Sequence, residues 1–437
     1  ALKTQQVTAL NTTSLVGVQS STLQSLVTGQ YKALTTAQLL SLTTAQIQAI
    51  EAADIASLST QQLNALTTSQ SSALTTLQIQ ALSTRQVSGL STQWIQGMTT
   101  GQLVAMTQDQ VKSLRTQQID ALQSHQLQAI ETRDLVGWSA QQIASLSTTQ
   151  AARFSTLQVA ALTTAQIAAV QSQDLAAMST AQVRALTVSQ LAKLSTAQMA
   201  AMTTAQLQAL TSTQVGSLTT RNIAALTTDQ IIWLGSTQIA GLNEDHVRAI
   251  ETRDWVLINT DQISSFSTTQ VAALTQRQVS VMTQDQWLAL SSAQLQALNT
   301  QALAGMGSDQ LASLTAEQVA TLTTAQISQI KPATWTGLRT DQLQALTTEQ
   351  VVALSTSQLR SFSPDVLSAL TTEQVSVIEV GDLATLTTSQ MSGWSTAQIQ
   401  ALTTAQVQGL LGTQWVGFSQ EQVQALSTLQ MAAIETR

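Results

Sequence analysis

An apolar residue returns at every eighth position from one end of the chain to the other. The series begins at Leu2 and ends at Ile434, and each of its 55 positions holds Leu, Ile, Val, Met, Phe or Trp. A second apolar residue follows five positions after each of these anchors, with rare exceptions such as Ser71. Gln precedes the second apolar residue in 41 of 54 octads. Because the period never slips, each octad is expected to contact its neighbours in the same way, as in repeat proteins.

Each octad carries the signals of one short helix. After the anchor Leu74, Thr75 is a good N-cap, and Gln78 three residues later completes a capping box. Leu74 and Ile79 then occupy the positions of a hydrophobic staple, and Ile79 shares a helical face with Leu82 because they are three residues apart. Leu82 ends this helix and begins the next unit. Since a helix this short is unstable alone, the octads are expected to stack as a solenoid.

The same pattern excludes one continuous helix. At about 100° per residue, eight residues leave a drift of about 80° per octad, so an apolar stripe would wind around a long helix and face water. A β-solenoid is the alternative architecture. Against it, residues 79–82 do not alternate between apolar and polar, and Ala, Gln and Leu favour helices. The sequence therefore predicts an all-α solenoid of very short capped helices, with the β-solenoid as the alternative.

A variant octad recurs at intervals that suggest the size of one superhelical turn. In this variant Glu replaces the cap and Asp replaces the capping Gln, and it follows the anchors Ile50, Ile130, Ile250 and Ile378, with related breaks after Val170 and Ile330. The anchors at 50, 130, 170, 250 and 330 are separated by multiples of 40 residues, whereas those at 378 and 434 are not. We therefore predict about 40 residues, or five octads, per superhelical turn.

The acidic pairs of these variant octads are the strongest candidates for a metal site. They comprise Glu51, Asp54, Glu131, Asp134, Glu251, Asp254, Glu379 and Asp382. Calcium takes about six to eight oxygen ligands, so two carboxylates per octad are few. Acidic side chains also suit the positive end of a helix dipole, and Arg133 and Arg253 are placed to pair with them. We therefore predict a structural role for these pairs, with no metal and no cofactor.

The aromatic residues follow the octad with two exceptions. Six Trp residues fall at anchor or second apolar positions and are predicted to fill the core: Trp138, Trp255, Trp287, Trp335, Trp394 and Trp415. Trp94 occupies a Gln position and Trp233 a small-residue position, so each is predicted to be either a partly exposed surface contact or a bulge in the core. His125 and His246 lie in separate octads without a metal-ligand cluster, and the hydroxyl groups serve as caps. No catalytic residue is predicted.

Composition narrows the class of protein. Only 9% of residues are charged, against about 25% in typical soluble proteins, while 43% are hydrophobic, which excludes a polar disordered tract. The net charge of −7 argues against a nucleic-acid partner, and no apolar stretch is long enough for a transmembrane helix. No linker-like run divides the chain, so one continuous solenoid is predicted over residues 1–437. Because it starts at Ala1 and stops inside a variant octad, we expect a segment of a longer chain.

The octads LTTAQIQAI at 42–50 and LTTAQVQGL at 402–410 resemble two kinds of known repeat. The unit resembles the opening helix L-T-P-E-Q-V-V-A-I of the TAL-effector repeat, but the chain lacks the second helix and the base-reading loop that would imply DNA recognition. The whole chain is similar to LTTxQ-type octapeptide arrays in large bacterial proteins that are secreted or surface-associated. That resemblance implies an extracellular or cell-surface bacterial protein.

These observations favour a structural protein over an enzyme. An uninterrupted solenoid offers extended surfaces rather than the loops that build a catalytic pocket. We expect a self-assembling element of a fibre, tube or surface layer, whose copies associate or stack end to end. The alternative is an adhesin stalk or binding module that contacts carbohydrate or another cell-surface partner, with Trp94 and Trp233 as sugar-stacking residues. Neither nucleic-acid binding nor membrane insertion is expected.

Overall fold

Short helices joined by extended residues make up the whole of the computed structural model, which describes residues 3–435. Helices account for 67% of the described residues, which contain no strand. The all-α prediction is confirmed, and the β-solenoid alternative is not supported. No helix within residues 3–435 is both long and apolar enough to cross a bilayer. The first predicted anchor, Leu2, lies outside the described residues.

The helices fall into two compact units, Ala1–Leu218 and Thr219–Arg437. Those of the first unit, α1 to α27, are in chain order Thr4–Thr8, Thr12–Val16, Ser20–Gln24, Thr28–Ala33, Thr36–Ser41, Thr44–Ala49, Ala52–Ile55, Thr60–Ala65, Thr68–Ala73, Thr76–Ala81, Thr84–Gly89, Thr92–Gln96, Thr100–Ala105, Gln108–Lys112, Thr116–Asp120, Ser124–Ala129, Thr132–Leu135, Ala140–Ala144, Thr148–Ala151, Thr156–Ala161, Thr164–Ala169, Ser172–Ala177, Thr180–Arg184, Val188–Leu191, Thr196–Ala201, Thr204–Gln208 and Ser212–Gly216.

Those of the second unit, α28 to α54, are in chain order Thr220–Ala224, Thr228–Ile232, Ser236–Gly241, Glu244–Ala249, Thr252–Trp255, Thr260–Ser265, Thr268–Ala272, Gln276–Val281, Gln284–Leu288, Ser292–Ala297, Thr300–Leu303, Ser308–Ser313, Ala316–Thr321, Thr324–Gln329, Pro332–Trp335, Thr340–Ala345, Thr348–Val352, Thr356–Ser361, Pro364–Leu367, Thr372–Val377, Val380–Leu383, Thr388–Ser392, Thr396–Ala401, Thr404–Gly409, Gly412–Trp415, Gln420–Gln424 and Thr428–Glu435. Each unit repeats the same octad, and the continuity of one solenoid over residues 1–437 stays a prediction.

The capping box starts each regular helix, as the sequence predicts. Before α10, the Thr75 amide donates to Oε1 of Gln78 at 2.7 Å, and the Gln78 amide donates to Oγ1 of Thr75 at 3.3 Å. The cap residue is extended, with φ −72° and ψ 160°. Leu82, which ends the helix, is also extended, with φ −64° and ψ 136°. The anchor and the cap together therefore turn the chain from one helix into the next.

The two apolar series form the core of each unit. Ile79 at the second apolar position is 1% exposed, and the next anchor, Leu82, is 4% exposed. Even Ser71, which replaces an apolar residue, is buried. Five of the six Trp residues predicted as core filler are buried, and Trp415 is half-buried with its ring packed edge-on against Phe418. The apolar pattern therefore predicts the core correctly.

The predicted turn of five octads is wrong. The helices that pack together are three octads apart, as are α7 with α10 and α22 with α25. Side-chain hydrogen bonds reach back 28 and 31 residues, as those of Gln78 do. The chain therefore returns alongside itself after between three and four octads rather than after about 40 residues. The reason is that the 40-residue spacing is a period of sequence variation, whereas the extended anchor and cap residues set the bend between helices.

Two glycines mark places where successive turns approach most closely. A Cβ added at Gly337 would lie 2.3 Å from the carbonyl oxygen and 2.7 Å from the carbonyl carbon of Ser308. A Cβ added at Gly305 would lie 2.2 Å from the carbonyl oxygen of Gln276. Both neighbours are backbone atoms, which cannot rotate away. A side chain at either position would push two turns apart.

We expect Gly337→Ala to destabilise the second unit by about 1 to 3 kcal/mol, since the methyl group overpacks a backbone contact. Gly381→Ala is the matched control, because no atom lies within 4 Å of its added Cβ. The control should be neutral or stabilising by up to about 1 kcal/mol, because Ala favours helix more than Gly does. Thermal unfolding and amide hydrogen exchange around residues 332–345 measure both effects. Equal exchange in the two variants would contradict the close-contact interpretation.

Candidate functional site

The Gln side chain that completes each capping box also bonds to the preceding turn. The amide nitrogen Nε2 of Gln78 donates to the carbonyl oxygens of Ile47 at 3.0 Å and Ile50 at 2.7 Å. Its Oε1 accepts from the Thr75 amide. The side chain is 2% exposed. Both N–H groups of this buried amide donate and its oxygen accepts, as a buried polar group requires.

This arrangement repeats through both units. In the first unit, Gln198 donates to the carbonyls of Ile167 at 2.9 Å and Val170 at 2.8 Å. In the second unit, Gln374 donates to the carbonyls of Leu343 at 2.7 Å and Leu346 at 2.8 Å. We use the term glutamine ladder for the capping-position Gln side chains between Gln38 and Gln430 that make these bonds. The ladder supplies the donor for the carbonyl of the anchor, such as Ile50, and a second donor for the carbonyl three residues earlier, which already accepts from the anchor amide.

Sequence reasoning identified the capping box but missed the ladder. Glu completes a capping box as well as Gln does, because only the side-chain oxygen is used. Yet none of the 54 capping positions holds Glu. A carboxylate has no N–H group to donate to carbonyl oxygens. The exclusion of Glu was therefore the signal for a second hydrogen-bonding role.

Two octads without Gln retain a donor for the same carbonyl by other means. Ala302 stands at a capping position, and the cap residue Asn299 of that octad donates through Nδ2 to the carbonyl of Leu274 at 2.8 Å. Thr334 also replaces Gln, and its Oγ1 donates to the carbonyl of Met306 at 2.8 Å. In both octads the acceptor lies 28 residues before the capping position. In these two octads a different donor therefore satisfies the carbonyl that a ladder Gln would bind.

Four of the five octads with Asp at the capping position replace the ladder bond with a hydroxyl contact. Asp54 accepts from Oγ1 of Thr28 at 2.7 Å, and Asp254 accepts from Oγ1 of Thr228 at 2.6 Å. Asp174 and Asp382 bind the hydroxyls of Thr148 and Thr356 in the same way. The first three of these carboxylates are buried. Their contacts join successive turns, which supports the structural interpretation of the variant octads.

The acidic cap residues remain at the surface. Glu131 pairs with Arg133 at 2.6 Å, and Glu251 pairs with Arg253 at 2.8 Å, as predicted. Such exposed pairs contribute little to stability. Glu51 and Glu379 are exposed caps whose side chains make no capping hydrogen bond. Within residues 3–435 no group of three or more His, Asp or Glu side chains could hold a metal ion.

Trp94 is buried, so the surface-contact alternative is wrong for this residue and the core alternative is confirmed. The side chain is 3% exposed, because the capping position faces the preceding turn and not the solvent. Its indole nitrogen has no hydrogen-bond partner. Asn64 takes over one function of the missing Gln, since its Oδ1 accepts from the Ser91 amide at 2.8 Å. Trp94 therefore belongs to the core.

Trp233 lies at the surface. Its side chain is 60% exposed and follows α29, and Leu257, at the same octad position three octads later, is 51% exposed. The helices α29 and α32 that precede them pack together. Most octads hold Ala, Gly or Ser at this position. The use of Trp233 as a contact residue stays a prediction, while His125 and the buried His246 lie in separate helices, α16 and α31.

Comparison with known families matches the repeat itself. The sequence model described as the ALTTAQ repeat matches seven stretches, which are residues 47–84, 127–164, 167–204, 190–220, 247–284, 288–324 and 375–411. Together these stretches cover more than half of the chain. No curated protein shows significant similarity to the chain.

We expect Gln198→Glu to destabilise the first unit by about 2 kcal/mol near neutral pH, because the carbonyl of Val170 loses its donor, the carbonyl of Ile167 keeps only the Val170 amide, and a carboxylate is placed beside both. Burial beside carbonyl oxygens should raise the pKa of the new Glu carboxyl group in the folded chain. The loss of stability should therefore grow as pH rises above the ordinary pKa of Glu, and shrink as pH falls through the raised pKa. The exposed Gln141, which immediately precedes a ladder Gln, gives the control Gln141→Glu. Thermal unfolding near pH 7 and pH 4 measures both variants. Equal shifts of the unfolding temperature in the two variants would contradict the role of the ladder.

Burial raises the pKa of Asp134, and Arg133 opposes that rise. A raised pKa means that the carboxylate costs stability at neutral pH, and that the cost disappears as pH falls through the raised pKa towards the ordinary value. Asp134→Asn should therefore raise the unfolding temperature near neutral pH and have less effect in acid.

In Asp341, a hydrogen bond from Arg339 lowers the pKa, so Asp341→Asn should lower the unfolding temperature near neutral pH. Shifts of the same sign would refute this assignment.

Proposed function

Because the chain belongs to the ALTTAQ repeat family, we propose that it is a structural protein whose octads build a fibre, tube or surface-layer element outside a bacterial cell or on its surface. The observation that carries this proposal is the glutamine ladder. It repeats one bonding scheme through both units and ties each turn to the one before. A scheme of this kind favours a long, stiff object over a pocket for a small molecule.

The most frequent polar side chains are engaged in holding the fold. The Thr75 hydroxyl accepts from the Gln78 amide, and the Gln78 side chain bonds to the cap and to two carbonyls. The same partners recur at Ser195 and Gln198. These hydroxyl and amide groups are therefore committed to structure. This supports a non-enzymatic function, in which the outward octad positions make the contacts with other molecules.

Self-association of the purified chain tests the proposal. We expect elongated particles in negative-stain images and a molar mass, from size-exclusion chromatography with light scattering, that rises with protein concentration. A chain carrying Gln198→Glu and Gln374→Glu serves as the control, because loss of ladder bonds should shorten or bend the particles. A compact monomer at every concentration would overturn the assembly proposal.

A second candidate function is an adhesin stalk or binding module that contacts carbohydrate. The exposed indole of Trp233, with Leu257 at the equivalent position of a packed helix, favours this alternative, because aromatic faces combine apolar contact area with a polar edge. A glycan array distinguishes it from a passive fibre. Binding that is lost in Trp233→Ala and kept in Leu157→Ala, a change at a separate residue that is 74% exposed, would support the module.

A further inference from the structure

The two units carry opposite net charges although their cores follow the same pattern. The first unit, Ala1–Leu218, has nine Lys and Arg against seven Asp and Glu, a net charge of +2. The second unit, Thr219–Arg437, has eight against seventeen, a net charge of −9. The asymmetry is therefore a property of the surface. A difference in net charge between two parts of a chain indicates a binding partner that is attracted by charge.

The difference is concentrated at one place in the octad, the residue immediately before the capping position. Exposed acids occupy it eleven times in the second unit, at Asp229, Asp245, Asp261, Asp285, Asp309, Glu317, Asp341, Glu349, Asp365, Glu373 and Glu421. In the first unit only Asp109 is an acid at this place. Acidic residues there suit the helix dipole, but the helices of the first unit form without them. The acids are therefore not needed for folding.

Helix packing arranges these acids in rows. Asp261, Asp285 and Asp309 lie on α33, α36 and α39, which pack consecutively three octads apart. The helices α40, α43 and α46 carry a second row in the same way. Like charges in a row repel one another, and dissolved salt screens the repulsion only in part. A surface of opposite charge placed against the rows would relieve that repulsion.

The first unit supplies exposed charges of the opposite sign. All nine of its Lys and Arg side chains are exposed, and they are Lys3, Lys32, Arg85, Lys112, Arg115, Arg133, Arg153, Arg184 and Lys193. Three of its seven acids, Asp54, Asp134 and Asp174, are buried between turns. The charged groups that a partner can touch are therefore mostly basic. The chain itself supplies both halves of a complementary pair.

We propose that the second unit of one copy docks against the first unit of another copy through these opposite charges. The inference rests on the proposed assembly function and assigns its interface. Pairing of two second units would place acidic rows face to face, which is repulsive and selects against that arrangement. Contact between different patches on two copies can propagate from molecule to molecule, as a fibre or layer requires.

Sedimentation velocity of the full chain tests the docking. Association should weaken at least about threefold between about 0.05 M and 0.5 M NaCl, because the screening length becomes shorter than the contact region. Two variants with equal net charge sharpen the test. Asp285→Asn with Asp309→Asn removes acids from one row, whereas Asp109→Asn with Asp120→Asn removes exposed acids from the first unit. Circular dichroism confirms that both pairs leave the helices intact.

The two double variants should shift association in opposite directions. The row variant should associate about threefold more weakly than the parent, and the first-unit variant more tightly, since its basic surface gains net charge. Tightening in both would show that net charge alone governs association and would overturn the docking proposal. Association that is indifferent to salt and to both variants would overturn the docking while leaving assembly intact. No association at any salt concentration would overturn both proposals.

Discussion

The side-chain amide of Gln is the group on which the rest of the structure depends. Each helix is too short to be stable alone, and its last carbonyls can accept more hydrogen bonds than the helix and its anchor residue supply. A buried Gln such as Gln78 starts its own helix through its oxygen and closes the end of an earlier helix through its nitrogen. One side chain thus serves the start of one helix and the end of another. The fixed offsets of 28 and 31 residues hold successive turns in one register.

This constraint explains which changes the repeat accepts. Asp54 replaces a ladder Gln and cannot donate, and the Tyr31 hydroxyl donates to the carbonyl of Leu23 at 2.6 Å, the acceptor 31 residues before position 54. Asn299 serves the octad of Ala302 in a similar manner. In these two octads another donor reaches a carbonyl that Gln would bind. A buried carbonyl without a donor would cost more than the lost side chain does.

The outward octad positions make no ladder bond, so their residue types can vary. We expect the residues that contact other molecules to lie there. Leu77 and Leu157 are 68% and 74% exposed at the place that Asp285 and Asp309 occupy in the second unit. An apolar side chain and a carboxylate are tolerated equally because neither touches the core. The same repeating interior can thus carry different surfaces in different octads. The charge difference between the two units is an instance of that freedom.

The sequence by itself determined the short helix, its cap and its core. Thr75, Gln78 and Ile79 lie within four residues of one another, so capping and staple rules apply without knowledge of the fold. Only the tertiary structure decided how many octads complete a turn, which carbonyls the Gln side chains reach, and that Trp94 is buried. Those features depend on contacts between residues 28 to 31 positions apart. Their geometry follows from the bend at the extended anchor and cap residues, and a repeating pattern does not specify the size of that bend.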